Sequence, residues 1–195
     1  MDLRGDQVVD ALNALEHRVL HDHARQSRVG ILGYGLVILH GPDKIIPFMN
    51  LVTTAGDEYY SQMAIAGVSP ASAATPTKAS GMKLGTGTTT PSKSGSGAAL
   101  GTYLSGSNAA FDSSFPATAA VTGTDAGWKA TYQTTWAAGT ATNSAISEVV
   151  IVNDSGTDAT STAANTYSRV LFSPTADKGS TQALTVVWNH VFLGS

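Results

Sequence analysis

The residue types of this chain change abruptly along its length, and that break limits the fold more than any single motif. Asp2, Arg4, Asp6, Asp10, Glu16, Arg18, Asp22, Arg25 and Arg28 crowd the first stretch, whereas no threonine occurs before Thr53. Beyond that point Ser, Thr, Ala and Gly dominate. Charged residues make up only 13% of the chain, about half of the roughly 25% usual in globular proteins. A charged helical opening followed by small-residue β structure is the reading this predicts. At 195 residues the chain has room for roughly one domain plus an appendage, large enough to bury a core without covalent staples.

Val8, Leu12, Leu15 and Val19 recur at spacings of four, three and four, the seam of an amphipathic helix from Asp6, its N-cap, to about Arg25. A helix this short is marginal alone and must dock on something. Either its own domain or a neighbouring subunit could receive the seam. The expectation carried forward is an interface arm over 1–28, docking through Val8, Leu12, Leu15 and Val19.

Val29 to Leu39 and Ile45 to Val52 read as two strands around the turn Gly41-Pro42-Asp43, with Pro47 marking an edge or a bulge. Thr54 to Asp57 has capping-box spacing and predicts a helix of about three turns, near 55–66, ended by Gly67. Val68 to Gly81 is aperiodic and reads as a loop. Strands are then expected at Gly127–Trp136, Ile146–Val152, Tyr167–Phe172 and Leu184–Phe192. The fold class expected is mainly β, an antiparallel β-sandwich of jelly-roll type. It has the N-terminal helical arm and one short further helix, with the body spanning 29–195.

Alternation puts Trp128, Tyr132 and Trp136 on one face of the strand Gly127–Trp136. Such a row either fills an inter-sheet core or, if exposed, stacks sugars. His17, His21 and His23 have metal-ligand spacing on a helix but lack a partnering carboxylate motif, so a solvated or subunit-facing patch is expected, and no metal. Were that patch an interface, its histidines would make assembly pH-sensitive. Gly85-Thr86-Gly87 resembles a phosphate loop only superficially, because Thr88-Thr89-Thr90-Pro91 supplies neither the Lys-Ser/Thr nor the helix start such loops need. Asp154 and Asp158 fall short of a calcium loop and read as an Asx-rich hairpin or loop. Gly95-Ser96-Gly97 is no nucleophile elbow, and His190 on its alternating strand reads as a core or interface histidine. No catalytic residue and no cofactor are expected.

Several partner classes are also excluded. A net charge of -3 gives no basic footprint for nucleic acid. The longest apolar run, Ile31 to Leu39, is interrupted by Gly33 and Gly35 and is far short of a membrane span. The opening MDLRGDQVVD is acidic where an export signal is basic and then apolar, so none is expected. With no cysteine there is no disulfide framework or thiolate chemistry. What remains is surface made of short hydroxyl and methyl side chains, which lose little entropy when fixed in contact and favour permanent assembly.

Four segments carry a family resemblance: Asn50–Tyr60 (NLVTTAGDEYY), Gly81–Leu104 (GMKLGTGTTTPSKSGSGAALGTYL), Thr131–Asp154 and Ser168–Phe192. Together they resemble small virion structural proteins of tailed bacteriophages. In that family an N-L-V-T-x-A-G segment opens a helix, here Asn50 to Gly56. An l-G-t-G-t-T-x-P strand exit follows, here Leu84 to Pro91, then an I-x-E strand, here Ile146 to Glu148. A K-x-x-x-x-L turn, here Lys178 to Leu184, leads into the terminal strand. The resemblance implies a non-enzymatic β-sandwich module of the virion, assembled in the host cytoplasm. Its leading role would be capsid decoration (cement) as a homotrimer on the major capsid protein, through the arm and sheet edges. Tail, baseplate or fibre attachment is the alternative placement, and a carbohydrate- or receptor-binding module using Trp128, Tyr132 and Trp136 is the alternative of another class. Met1 to Arg28 lies outside the resemblance.

Overall fold

A computed structural model describes residues 5–25, 30–65, 77–122 and 127–193. The chain forms two compact units. One comprises Met1–Asn50, Phe111–Ala145 and Phe172–Ser195, the other Leu51–Ala110 and Ile146–Leu171. Each holds one five-stranded antiparallel sheet. With an N-terminal helix and one short further helix, the protein is mainly β, consistent with the expected β-sandwich.

In the first unit, helix α1 (Gly5–Arg25) precedes β1 (Gly30–His40) and β2 (Lys44–Met49). Asp6 sits in the first turn rather than ahead of it, where a carboxylate suits the helix dipole, and it accepts the Gln7 N–H at 3.0 Å. Pro47 lies on the outermost strand, where a missing N–H costs no ladder bond. The run Ile45–Val52 is not one strand: β2 ends at Met49, and Leu51–Val52 forms β3 of the other sheet. At the break, Asn50 N–H donates to Gly33 O at 3.1 Å, and its side chain fills the space a Cβ on Gly33 would take.

The seam of α1 is occupied within its own unit. Leu15 and Val19 are buried, and Val8 and Leu12 half-buried, in a cluster with Tyr34, Leu36, Ile38, Val121, Val187 and Val191. Glu16 adds a polar bolt: its carboxylate accepts from the Tyr34 hydroxyl and, at 2.5 Å, from Lys129 Nζ. The expected docking of Val8, Leu12, Leu15 and Val19 onto a neighbour is therefore corrected. A face that buries two side chains, each worth about 1.5–3 kcal/mol, against its own sheet is not available to another subunit.

In the second unit, Thr53 caps α2 (Thr54–Ile65), one residue earlier than the expected capping box. Its Oγ1 accepts the Gly56 N–H at 3.1 Å and donates to Thr166 O at 2.5 Å. Asp57, freed from capping, pairs with Lys93. The region from 66 to 76, covering most of the predicted loop and Gly67, lies outside the described residues. Strand β4 (Gly81–Gly85) enters the second sheet, whose edge is β5 (Ala109–Ala110). Strands β6 (Ala117–Val121) and β7 (Gly127–Trp136) return to the first.

The remaining strands are longer than the sequence predicts: β8 (Asn143–Val152), β9 (Thr166–Lys178) and β10 (Ala183–Leu193). The two sheets run β2-β1-β10-β7-β6 and β3-β9-β8-β4-β5. Ile146, Val149, Val150, Ile151 and Val152 are all fully buried, as a run apolar on both faces requires.

Candidate functional site

The residues that most resemble chemical machinery lie on β4, β8 and β9 of the second unit, and they are turned inward. Glu148 on β8 and Arg169 on β9 are fully buried and form an ion pair. The strand exit Gly85-Thr86-Gly87 and the segment around Thr102 fold over the carboxylate. Its Oε1 accepts N–H bonds from Gly87 at 2.5 Å and Thr102 at 3.1 Å, and its Oε2 accepts from Gly101 at 2.9 Å and from Arg169. A Cβ on Gly87 would lie 2.2 Å from Glu148 Oε1, so this close approach requires glycine. The guanidinium also donates to Gly97 O at 2.8 Å and Thr89 O at 2.7 Å, tying down the far side of the loop.

The glycine motif does gather N–H groups around an anion, as phosphate loops do, but the anion is the protein's own side chain. The loop is thereby fixed at several points. Neither group of the pair reaches solvent, so the arrangement holds structure together and leaves no open position for a substrate.

A second buried charge lies on β4. Lys83 is fully buried, with Nζ 3.0 Å from Asp154 Oδ1 and donating to Ala159 O at 3.0 Å. Asp158 accepts from Gly106 N–H at 2.8 Å and Tyr103 OH at 2.7 Å, bonds that hold its carboxyl below the usual range, the backbone bond most strongly. Burial, then Asp158, pushes the Tyr103 hydroxyl up to about 12. The Asp154–Asp158 segment lies in the connection between β8 and β9, where Thr157 N–H bonds back to Asp154 O at 3.0 Å.

In the first unit His190 is fully buried, beside Tyr132 and Trp188 with ring centroids at 5.5 and 6.1 Å, and Nε2 lies 3.3 Å from Asn50 Nδ2. Burial alone lowers its pKa to about 3, so the imidazole is neutral at any ordinary pH. It is a core histidine. Lys178 is likewise buried, donating to Ala137 O at 3.0 Å and Thr140 O at 2.7 Å, and desolvation lowers its pKa.

His17 and His21 are exposed on α1 with nearly parallel rings 6.4 Å apart; the side chain of His23 lies outside the described residues. Among the described residues no group of three His, Cys, Asp or Glu is placed to hold a metal, and no helix is long and apolar enough to cross a membrane.

The three-ring face of β7 is corrected. Trp128 is 60% exposed, but Tyr132 and Trp136 are each 3% exposed. Tyr132 packs against Phe111 and His190 at 5.3 and 5.5 Å. Three rings of which two are sealed cannot together stack a sugar.

Cavities lined by described residues occur in both units. One, of about 250 Å³, is apolar and lies between α1 and the edge of the first sheet, lined by Ala11, Leu15, Arg18, Leu36, Ile45 and Pro47. Another, of about 200 Å³, is lined by Glu58, Tyr59, Gln62, Thr77, Asn153 and Tyr167. In the second cavity Tyr59 stacks on Tyr167 at 4.6 Å, and the polar groups largely satisfy one another: Gln62 donates to Glu58 at 2.9 Å and Asn153 to the Tyr167 hydroxyl at 2.9 Å.

No family model, curated protein or solved structure matches the chain.

Proposed function

We propose that this protein is a non-enzymatic structural component of a phage virion, a capsid decoration protein that adds buried contact between shell subunits and so stabilises the assembled shell by mass action. The reading rests on the resemblance of the four segments and on one structural observation, the edge of the first sheet that β6 forms among the described residues. Strand β6 reads Ala-Thr-Ala-Ala-Val, and its first four residues are exposed. Edge strands of monomers are usually guarded by lysine, proline or a covering element; this one carries no charge. Beside it on β7 stands the exposed Trp128, paired in register with Ala120. An uncharged edge next to a large exposed ring suits permanent cover by a partner of the same assembly. With the helix seam spent internally, attachment runs through this sheet edge and not through an arm.

The test is copy number, from quantitative mass spectrometry of purified particles of the phage that encodes the chain. Shell-scale copies support decoration. A few copies per particle move the protein to a vertex, tail or baseplate, and its absence from particles overturns the reading.

A further inference from the structure

Lys83 and Asp154 stand apart from the other charged contacts of the second unit. The Lys83 side chain is 0% exposed, and Nζ lies 3.0 Å from Asp154 Oδ1. Yet Oδ1 is buried and accepts no hydrogen bond, so the nitrogen meets the carboxyl group at contact distance without the alignment of a hydrogen bond. The other oxygen, Oδ2, accepts from Asn165 Nδ2 at 3.2 Å, and the Tyr103 ring lies 5.9 Å from Nζ. Burying two charges costs several kcal/mol per ion, which attraction recovers only with excellent geometry and full hydrogen bonding. Here the ammonium is fully buried and donates to Ala159 O at 3.0 Å, the Asp154 side chain is 22% exposed, and the contact between the two is imperfectly bonded.

We propose that Lys83 and Asp154 condense into an intramolecular isopeptide bond. The ammonium first gives up a proton and the partly exposed carboxylate takes one up by way of solvent, giving an amine and a carboxylic acid. The nitrogen lone pair then attacks Cγ, while the Asn165 amide donates to the oxygen that gains charge. The hydroxyl leaves with the second nitrogen proton as water. One C–N bond forms, one C–O bond breaks, and nothing is oxidised or reduced. The driving force is the removal of a fully buried ammonium and its partly buried counter-charge in favour of a neutral amide. The rate comes from fixed juxtaposition, which in intramolecular reactions reaches effective concentrations on the order of 10⁵–10⁸ M. The product would tie β4 covalently to the turn after β8.

The experiment is the intact mass of the purified full chain, with tandem mass spectrometry of its proteolytic peptides. The expected result is a mass lower by one water than the sequence requires, and a branched peptide joining Lys83 to Asp154. Lys83→Met and Asp154→Ala should each restore the full mass. A wild-type chain at full mass overturns the proposal. So does water loss that survives Lys83→Met, which would mark a succinimide instead. The wild-type measurement stands even if either variant fails to fold.

Discussion

Replacing Glu148 with leucine tests the buried staple most directly. The substitution leaves the Arg169 guanidinium without its carboxylate and takes the acceptor from three N–H groups. Breaking a buried ion pair from one side costs about 3–5 kcal/mol. Gly87 is buried, so its stranded N–H adds about 1–3 kcal/mol. Gly101 and Thr102 are exposed and water can serve them, so they add little. The sum is about 4–8 kcal/mol, against a total stability of about 5–15 kcal/mol for a typical domain.

Arg169→Met, by contrast, leaves the carboxylate with its three N–H donors and should cost less, about 3–5 kcal/mol. The assay needs care: Trp128, Trp136 and Trp188 all lie in the first unit, so fluorescence can miss the second unfolding. Urea titration followed by amide hydrogen exchange at Gly87, Gly101 and Thr102 reads the relevant unit. The reasoning fails if Glu148→Leu lies within about 1 kcal/mol of the wild type, or if Arg169→Met is the more damaging change.

His190 gives a pH prediction. Its folded pKa of about 3 lies below the unfolded 6.5, so between these values the unfolded chain binds a proton that the native chain refuses. Its contribution is complete above pH 6.5 and declines towards pH 3 by up to about 1.4 kcal/mol per pH unit; His190→Asn should flatten this part of the stability-against-pH curve, measured by urea midpoints from pH 4 to 7. On the β6 edge, Ala119→Lys should change stability by no more than about 0.5 kcal/mol while sharply lowering incorporation into particles; undiminished incorporation would remove β6 as the attachment edge.

The strand pattern was legible because alternation and burial follow one another directly: β7, β8 and β10 lie where apolar periodicity placed them, and Pro47 marked an edge. The α1 seam was legible as a buried stripe, but a stripe does not say what covers it, and the answer lay on β1, β6 and β10, distant in sequence. The staple was harder. Glu148 and Arg169 are 21 residues apart, and the loop that closes over them comes from Gly87 to Thr102. A signal was nevertheless present: Lys83 in GMKLG, Glu148 in ISEVVIV and Arg169 in YSRVLF are each single charges inside strands otherwise fit for burial. A charge in such a run must find a partner. The split at Asn50 carried no comparable mark, since Ile45 to Val52 is uniformly strand-like and only the contact with Gly33 ends it.

The glycine-rich loop over Glu148 amounts to a receptor whose guest is built into the host. Three N–H groups and a guanidinium converge on one point, and a side chain from the neighbouring strand plugs it. Shortening that plug to glycine would unstopper a preformed anion socket, into which formate or acetate from solution could settle in place of the lost carboxylate. The contacts that would receive such an anion are the ones that now close the loop over Glu148.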